Sequence, residues 1–253
     1  MIRYIALFLL LWPVLASAQN EEIVADLSQR RVSITTNFTG SEILIFGAVK
    51  RSTAIVASDP LDVIITVAGP DESFVVRKMD RIAGIWVNAA QQEIDSAPSF
   101  YSVMSTAPLE DILSDTEDLR YRISKERVIR AVDGGAGAAA PEFTEALIRI
   151  RESEDIYQLN EGEVSFFDGT LFRAQVALPA NLTEGDYETT IYLVRNKSVV
   201  ARHKTTIAVS KVGLERFLYN LAHNQPLIYG IMSLFIAIAA GWLASAAFRL
   251  LRN

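Results

Sequence analysis

Two histidines, His203 and His223, are the side chains of this sequence best suited to bind a metal or act as a base near neutral pH. His203 lies in a β-branched, strand-like segment, and His223 directly precedes a long apolar segment. Each stands alone, without a partner at metal-ligand spacing. We therefore interpret His203 as an exposed strand residue and His223 as a residue at a membrane interface.

Other residue types offer little chemistry. The chain has no cysteine, which excludes disulfides, thiolate metal sites and a cysteine nucleophile. It also has no HExxH, GxSxG, P-loop or EF-hand pattern. The acidic pairs Glu110/Asp111 and Glu117/Asp118 are interpreted as solvated helix faces. We predict that the chain is not an enzyme and holds no metal or cofactor, since catalysis would need a carboxylate or Ser/Lys site that the sequence does not reveal.

Charge argues against a nucleic-acid partner. The 253 residues carry 30 acidic and 24 basic side chains, a formal net charge of -6. Such a surface would repel a phosphate backbone. It would also not bind an anionic membrane through charge alone.

The N-terminal residues 1–18 have the pattern of a cleavable signal peptide. Arg3 is followed by an apolar run of about a dozen residues and then by Ala16-Ser17-Ala18. This predicts cleavage between Ala18 and Gln19. The alternative is an uncleaved anchor, for which the apolar run is short.

The C-terminal residues 226–248 predict one transmembrane helix. Residues 227–248 contain no charge and are long enough to cross a bilayer. Tyr229 and Trp242 are placed as interfacial aromatic residues, and Arg249 and Arg252 follow the span. The positive-inside rule then leaves a short cytoplasmic tail, 249–253, with the large domain outside.

Small residues recur along one face of this helix, at steps of four. They are Ser233, Ala237, Gly241 and Ser245. Such a ridge lets two helices approach closely, with either a second copy or a multispan membrane protein as partner. The alternative is the ordinary Ala and Gly content of membrane helices.

Residues 211–225 predict an amphipathic helix just outside the span. Leu214, Phe217, Leu218 and Leu221 form its apolar stripe. The stripe is typical of a helix lying on the membrane surface, with Phe217 and Leu221 facing lipid. Docking onto a protein surface is the alternative.

The first half of the predicted domain, residues 19–210, is rich in short strands. They are Ile23–Leu27, Arg31–Thr36, Glu42–Val49, Val63–Val67, Ser73–Lys78, Ile82–Asn88 and Phe100–Ser105. The fifth and sixth are expected to form a hairpin around Asp80. Trp86 is expected in the core.

A helical insertion is predicted at about 108–160. It contains Leu109–Leu113, Thr116–Ile123 and Pro141–Arg151, the last with Phe143, Leu147 and Ile150 on one apolar face. The Gly-rich residues 133–140 lack the strand, lysine and helix of a phosphate-binding loop and are interpreted as a flexible loop.

Strand patterns return after the insertion, at Val164–Phe167, Leu171–Leu178, Tyr187–Arg195 and Val199–Val209, with a turn at Asn196-Lys197. Leu182, Gly185 and Tyr187 have the spacing of the tyrosine corner of immunoglobulin-like domains. The sequence therefore predicts a mainly β fold: an immunoglobulin-like β-sandwich ectodomain with a helical insertion, then the amphipathic helix and the transmembrane helix. One sandwich is favoured over two domains because the last four strands are too few to stand alone.

Several blocks of the sequence resemble one known family. They are residues 40–48, 62–70, 84–88 and 100–103, and the C-terminal residues 212–230. The chain is similar to the alphaproteobacterial putative transmembrane protein family, Alph_Pro_TM. The resemblance implies a bacterial inner membrane, a periplasmic domain and a gene neighbourhood that often holds a TauE/SafE-like sulfite or anion exporter. It implies no catalytic residues.

Two functions follow as expectations. The first is an accessory subunit whose periplasmic domain docks on a membrane partner, either such an exporter or a second copy, while its helix contacts the lipid bilayer. The second is a tethered periplasmic module that binds a small ligand.

Overall fold

The computed structural model describes residues 21–51, 60–130, 140–212 and 214–251. The predicted signal peptide with its cleavage site at Ala18 and Gln19 lies outside these residues. Arg252 and residues 133–139 of the Gly-rich segment also lie outside them.

The described part of the chain is mainly β with one C-terminal apolar helix, as predicted. Its strands are β1 (Glu22–Leu27), β2 (Arg31–Ile34), β3 (Ser41–Lys50), β4 (Asp62–Ala68), β5 (Asp71–Ile82), β6 (Ile85–Pro98), β7 (Tyr101–Ser105), β8 (Tyr157–Glu161), β9 (Ser165–Phe167), β10 (Leu171–Leu178), β11 (Gly185–Arg195) and β12 (Ser198–Lys211). Its helices are α1 (Leu109–Ile112), α2 (Asp115–Tyr121), α3 (Lys125–Val128), α4 (Ala140–Ser153), α5 (Leu214–Asn224) and α6 (Pro226–Leu251).

Strands from both sides of the helical segment share the sheets. One sheet has the order β1-β3-β10-β9, and the other has the order β2-β12-β11-β4-β7-β8. All pairs are antiparallel except β2 with β12 and β7 with β8. A third sheet contains only the hairpin β5-β6.

The core lies between the two larger sheets. Ile43 and Val176 of the four-stranded sheet and Val63 and Ile191 of the six-stranded sheet belong to one cluster of buried apolar side chains. Side chains of β10 alternate strictly between exposed and buried, so one face of that strand packs on this core.

Helices cover the other face of the six-stranded sheet. Tyr121 of α2 contacts Tyr192 of β11 edge-on, with ring centroids 5.7 Å apart. The Tyr101 hydroxyl of β7 donates a 2.7 Å hydrogen bond to the carbonyl of Ile123. β4 is consequently buried on both faces, which accounts for its unbroken run of β-branched residues.

The predicted tyrosine corner is present. The Tyr187 hydroxyl donates a 2.8 Å hydrogen bond to the carbonyl oxygen of Thr183, while its ring is fully buried. Burial raises the pKa of this phenol to about 12, because the charged phenolate would lose its hydration.

The helical insertion is shorter than predicted. Its last helix ends at Ser153, and β8 begins at Tyr157 and pairs in parallel with β7. The expected apolar face of α4 is also wrong at Ile150, which is 47% exposed, while Ile148 is buried beside Phe143 and Leu147. The guanidinium of Arg151, not Ile150, completes this face, 4.4 Å from the ring centroid of Phe74.

The hairpin turn is not at Asp80 but at Ala83 and Gly84. Both residues have positive φ, 52° and 89°, which is the backbone of the tight turns that match strand twist. The expectation of a core Trp86 is wrong as well, since this side chain is 66% exposed. The hairpin extends beyond the core, so its far half has no sheet to pack against.

Candidate functional site

The apolar helix α6 is the feature that places this protein in a membrane. Its residues Pro226–Ser245 have a mean hydropathy of 2.1, and none of that window is buried within the chain. Leu227, Ile231 and Phe235 are more than 70% exposed. The hydrocarbon core of a bilayer covers such a surface at low cost.

The predicted small-residue ridge lies uncovered on this helix. Ser233, Ala237, Gly241 and Ser245 are all exposed. The Ser233 hydroxyl donates to the carbonyl of Gly230 at 2.9 Å. Apart from the adjoining backbone of α6 itself, no atom lies within 4 Å of where a Gly241 Cβ would stand. The geometry permits close approach of a second helix, and the packing role stays a prediction.

The predicted interfacial aromatic residues lie 13 positions apart on α6, roughly 20 Å along the axis. Tyr229 is 38% exposed and Trp242 is 66% exposed. Leu221 on α5 is half-buried. The side chains of Phe217 and Arg249, and all of Arg252, lie outside the described residues.

The helices α5 and α6 follow each other without a loop. The Gln225 N–H donates to the carbonyl of Leu221, and the Tyr229 N–H donates to the carbonyl of Gln225, at 3.0 and 3.1 Å. Helical hydrogen bonding therefore continues past Pro226, whose ring nitrogen has no hydrogen to donate. The placement of α5 on the membrane surface stays a prediction.

The two histidines lie on different elements, His223 on α5 and His203 on β12. The His223 ring stacks on Tyr219 at 4.0 Å, and its Nδ1 lies 2.9 Å from the Tyr219 carbonyl oxygen. His203 lies on β12 opposite Ile191, and it is half-buried, not exposed as predicted. Within the described ranges, no three His, Asp or Glu side chains are placed to hold a metal ion.

The acidic pair Glu117/Asp118 is structural, and its prediction as a solvated face is wrong. Glu117 is 8% exposed and accepts a 3.0 Å hydrogen bond from the backbone N–H of Val199. The Asp118 carboxylate accepts from the N–H groups of Ile123 and Ser124 at 3.1 and 2.8 Å. The Glu117 bond holds α2 against the end of the β11–β12 hairpin. The Asp118 bonds fix the segment that follows the C-terminal end of α2. The pair Glu110/Asp111 is exposed, as predicted.

An apolar surface covers the outer face of the four-stranded sheet, the face turned away from the core. Its members alternate with buried core residues along each strand. We call it the outer-face patch, and its large apolar side chains, each 38–56% exposed, are Val24, Leu44, Phe46, Phe167 and Leu171.

The strand register makes this patch continuous. Val24 lies opposite Ala48, Ala48 opposite Leu171, and Leu171 opposite Phe167, so one row crosses all four strands. Residues directly opposite each other on one face are in contact range. The patch surrounds a depression of about 580 Å³.

Two charged groups border the depression. The Arg173 guanidinium lies 5.4 Å from the ring centroid of Phe167, a distance at which cation and aromatic face attract. The Leu27 N–H and the Arg30 guanidinium lower the pKa of Asp26, so that carboxylate stays ionised. An apolar floor with a cation and an anion at its rim suits either a protein surface or a small amphiphile.

Sequence reasoning missed the outer-face patch. A signal was present in β3, where Ile43, Leu44, Ile45 and Phe46 are apolar at four successive positions. In a strand that gives one face to water, alternate positions are expected to be polar. Apolar residues at four successive positions therefore predict apolar side chains on both faces of β3, which the structure shows.

One family model matches nearly the whole chain. It is the family described as Putative transmembrane protein (Alph_Pro_TM), and the match covers residues 22–250. No curated protein matches the chain.

Proposed function

Because this chain belongs to the putative transmembrane protein family Alph_Pro_TM, we propose that it is an accessory subunit of the bacterial inner membrane. Its β domain lies in the periplasm and docks on a membrane partner, while α6 holds it in the bilayer. The predicted signal peptide and the arginines after the span support this orientation.

The strand order supports an immunoglobulin-like sandwich as the docking domain. In such domains one sheet runs A-B-E-D and the other contains G-F-C. Here β1-β3-β10-β9 follows the first order and β12-β11-β4 follows the second. The hydrogen bond between Tyr187 and Thr183 adds the corner that those domains share.

The observation that carries the proposal is the outer-face patch. Soluble monomers rarely expose contiguous apolar patches above a few hundred Å², and larger ones indicate interaction surfaces. Five large apolar side chains on one sheet face, with Phe46 and Leu171 near its centre, fit a partner surface. The ridge on α6 gives the same partner a second contact inside the membrane.

A crosslinked pull-down of the full chain from native membranes tests the proposal. Leu171→Asp places a charge in the patch and is expected to remove the membrane partner. Leu159→Asp is the matched control, since Leu159 is 41% exposed on β8, in the other sheet. If both variants retain the partner equally, the patch is not the docking surface.

The partner itself is proposed as a multispan transporter, with a TauE/SafE-like anion exporter as the first candidate. Recovery of the chain alone, crosslinked to itself, would instead identify a second copy as the partner. That the domain is not an enzyme and needs no cofactor remains a prediction.

A second candidate function is a tethered module for a small ligand, favoured by the depression of about 580 Å³ beside Arg173. A ligand that binds only the folded state raises its thermal stability. We expect this for an anionic amphiphile, with Arg173→Gln abolishing the effect. A screen of anions, metals and small acids without any shift contradicts this candidate.

A further inference from the structure

The β5–β6 hairpin starts at the end of the domain from which the chain leaves for the membrane. Ala68, the last residue of β4, lies opposite Glu188, close to the start of β11. Gly185 at that start lies opposite Val209, near the end of β12. Pro70, at the start of the hairpin, contacts Gly185: its Cγ lies 2.9 Å from the position that a Cβ on Gly185 would take. The hairpin and the path to α6 therefore leave from the same end of the six-stranded sheet.

Among the residues that the structure describes, packing partners are found for the near half of the hairpin, residues 71–78 and 91–98. Val76, Gln92 and Ile94 are buried. Lys78 Nζ forms a 2.6 Å ion pair with Glu142 at the first turn of α4. This helix supports the hairpin as far as Lys78.

The far half, residues 79–90, has no cover from the described residues. All of these residues are exposed except Val87, which is half-buried. From Lys78 to Ile82 the strand advances about 13 Å at roughly 3.3 Å per residue. A two-stranded hairpin is marginally stable alone in water, so a surface that covers its tip would stabilise it.

The tip carries large apolar side chains together with cations. Met79, Ile82, Ile85 and Trp86 are 56–66% exposed. Arg81 lies in this far half and Arg77 lies two residues before it; both are exposed, although the chain as a whole is acidic. Tryptophan is enriched at the membrane–water interface, and arginine extends its charge to phosphates from an apolar position.

We propose that this tip inserts into the interfacial layer of the bilayer that α6 spans. Ile85 and Trp86 contact the upper acyl chains, and Arg77 and Arg81 bind the phosphates of anionic phospholipids. The β domain is then held at two points, which fixes its orientation on the membrane. This proposal needs only the membrane anchor and does not depend on a protein partner at the outer-face patch.

Fluorescence of Trp86 tests this proposal in the full chain. The sequence has three tryptophans, so Trp12→Phe with Trp242→Phe leaves Trp86 alone. The protein is reconstituted in vesicles of phosphatidylethanolamine and phosphatidylglycerol, with lipids brominated high on the acyl chain as quenchers. We expect blue-shifted emission that the brominated lipid quenches. Quenching should be weaker when the brominated lipid is mixed with phosphatidylcholine alone, which has no anionic headgroup.

Two variants sharpen the result. Ile85→Asp is expected to reduce lipid quenching, and so is Arg77→Gln combined with Arg81→Gln. Ile150→Asp is the matched control on α4, with an isoleucine 47% exposed, and should leave quenching unchanged. Emission typical of water without lipid quenching overturns the proposal. A blue shift without lipid quenching also overturns it, because it indicates a protein contact instead.

Discussion

At the scale of the residue, Tyr187 links the sequence pattern to the stability of the domain. Its spacing from Leu182 and Gly185 predicted the corner, and the hydroxyl does bond to the Thr183 carbonyl. Trp86 is the opposite case, because an aromatic residue in a strand pattern predicts burial only where a second layer exists. The Trp86 side chain is exposed because the hairpin extends past the core. A local sequence pattern does not show how far a hairpin extends.

Removal of the Tyr187 hydroxyl should destabilise the β domain. Tyr187→Phe loses one hydrogen bond and is expected to lower the free energy of unfolding by about 1 kcal/mol. Urea unfolding of the full chain in detergent measures this. Tyr219→Phe, at a tyrosine 61% exposed on α5, should show no change. Equal midpoints for the two variants would refute the role of the corner.

High pH should weaken the domain through its buried tyrosines. Burial raises the pKa of Tyr101, Tyr157, Tyr187 and Tyr192. The unfolded chain loses these protons near pH 10, before the folded chain does. The contribution of these tyrosines to the free energy of unfolding is therefore constant below about pH 10 and falls as pH rises toward 12. Urea titrations across this range check it, and a flat profile would contradict it.

At the scale of the element, most strands lie close to their predicted bounds because alternation is a strong signal. The predicted hairpin centre at Asp80 is wrong because the turn needs positive φ, which Gly84 accepts more readily. β8 was missed because its short alternation lies directly after a helix, and its partner β7 is distant in sequence. Parallel pairing of that kind has no local turn to indicate it.

Gly84→Ala tests the turn without altering any contact. Its φ is +89°, and no atom lies within 4 Å of an added Cβ. The change should cost about 1 kcal/mol in the hairpin alone, or roughly fivefold faster amide exchange there. Exchange in β12 should not change. Ala83→Asn should act in the opposite direction, because asparagine tolerates this backbone. Faster amide exchange in β12 as well as in the hairpin would show that the hairpin is not an independent unit.

At the scale of the whole molecule, the sequence located the membrane anchor and the mainly β domain, since both follow from long or repeated patterns. The outer-face patch and the exposed hairpin tip emerged only from tertiary structure. Contacts between distant segments decide which face of a strand packs on the core. They also decide which element extends beyond the core. Burial of Glu117 belongs to the same class, because its partner Val199 is 82 residues away.

The helix ridge can be tested with two alanines two positions apart. Ala237 lies on the ridge, and Ala239 lies about 200° around the helix from it. Ala237→Leu is expected to weaken crosslinking of α6 to its partner, because the added bulk keeps the two helices apart. Ala239→Leu should leave crosslinking intact. The ridge has no packing role if the two variants crosslink alike.

The most direct test of the whole account is the sidedness of the chain, which the absence of native cysteine makes simple to measure. Ser73→Cys, exposed in the β domain, and Asn253→Cys at the C-terminus provide single thiols. A membrane-impermeant maleimide is then applied to spheroplasts. With the β domain in the periplasm, we expect labelling at position 73 in intact spheroplasts and at position 253 only after permeabilisation. The reverse pattern would place the domain in the cytoplasm and contradict the account.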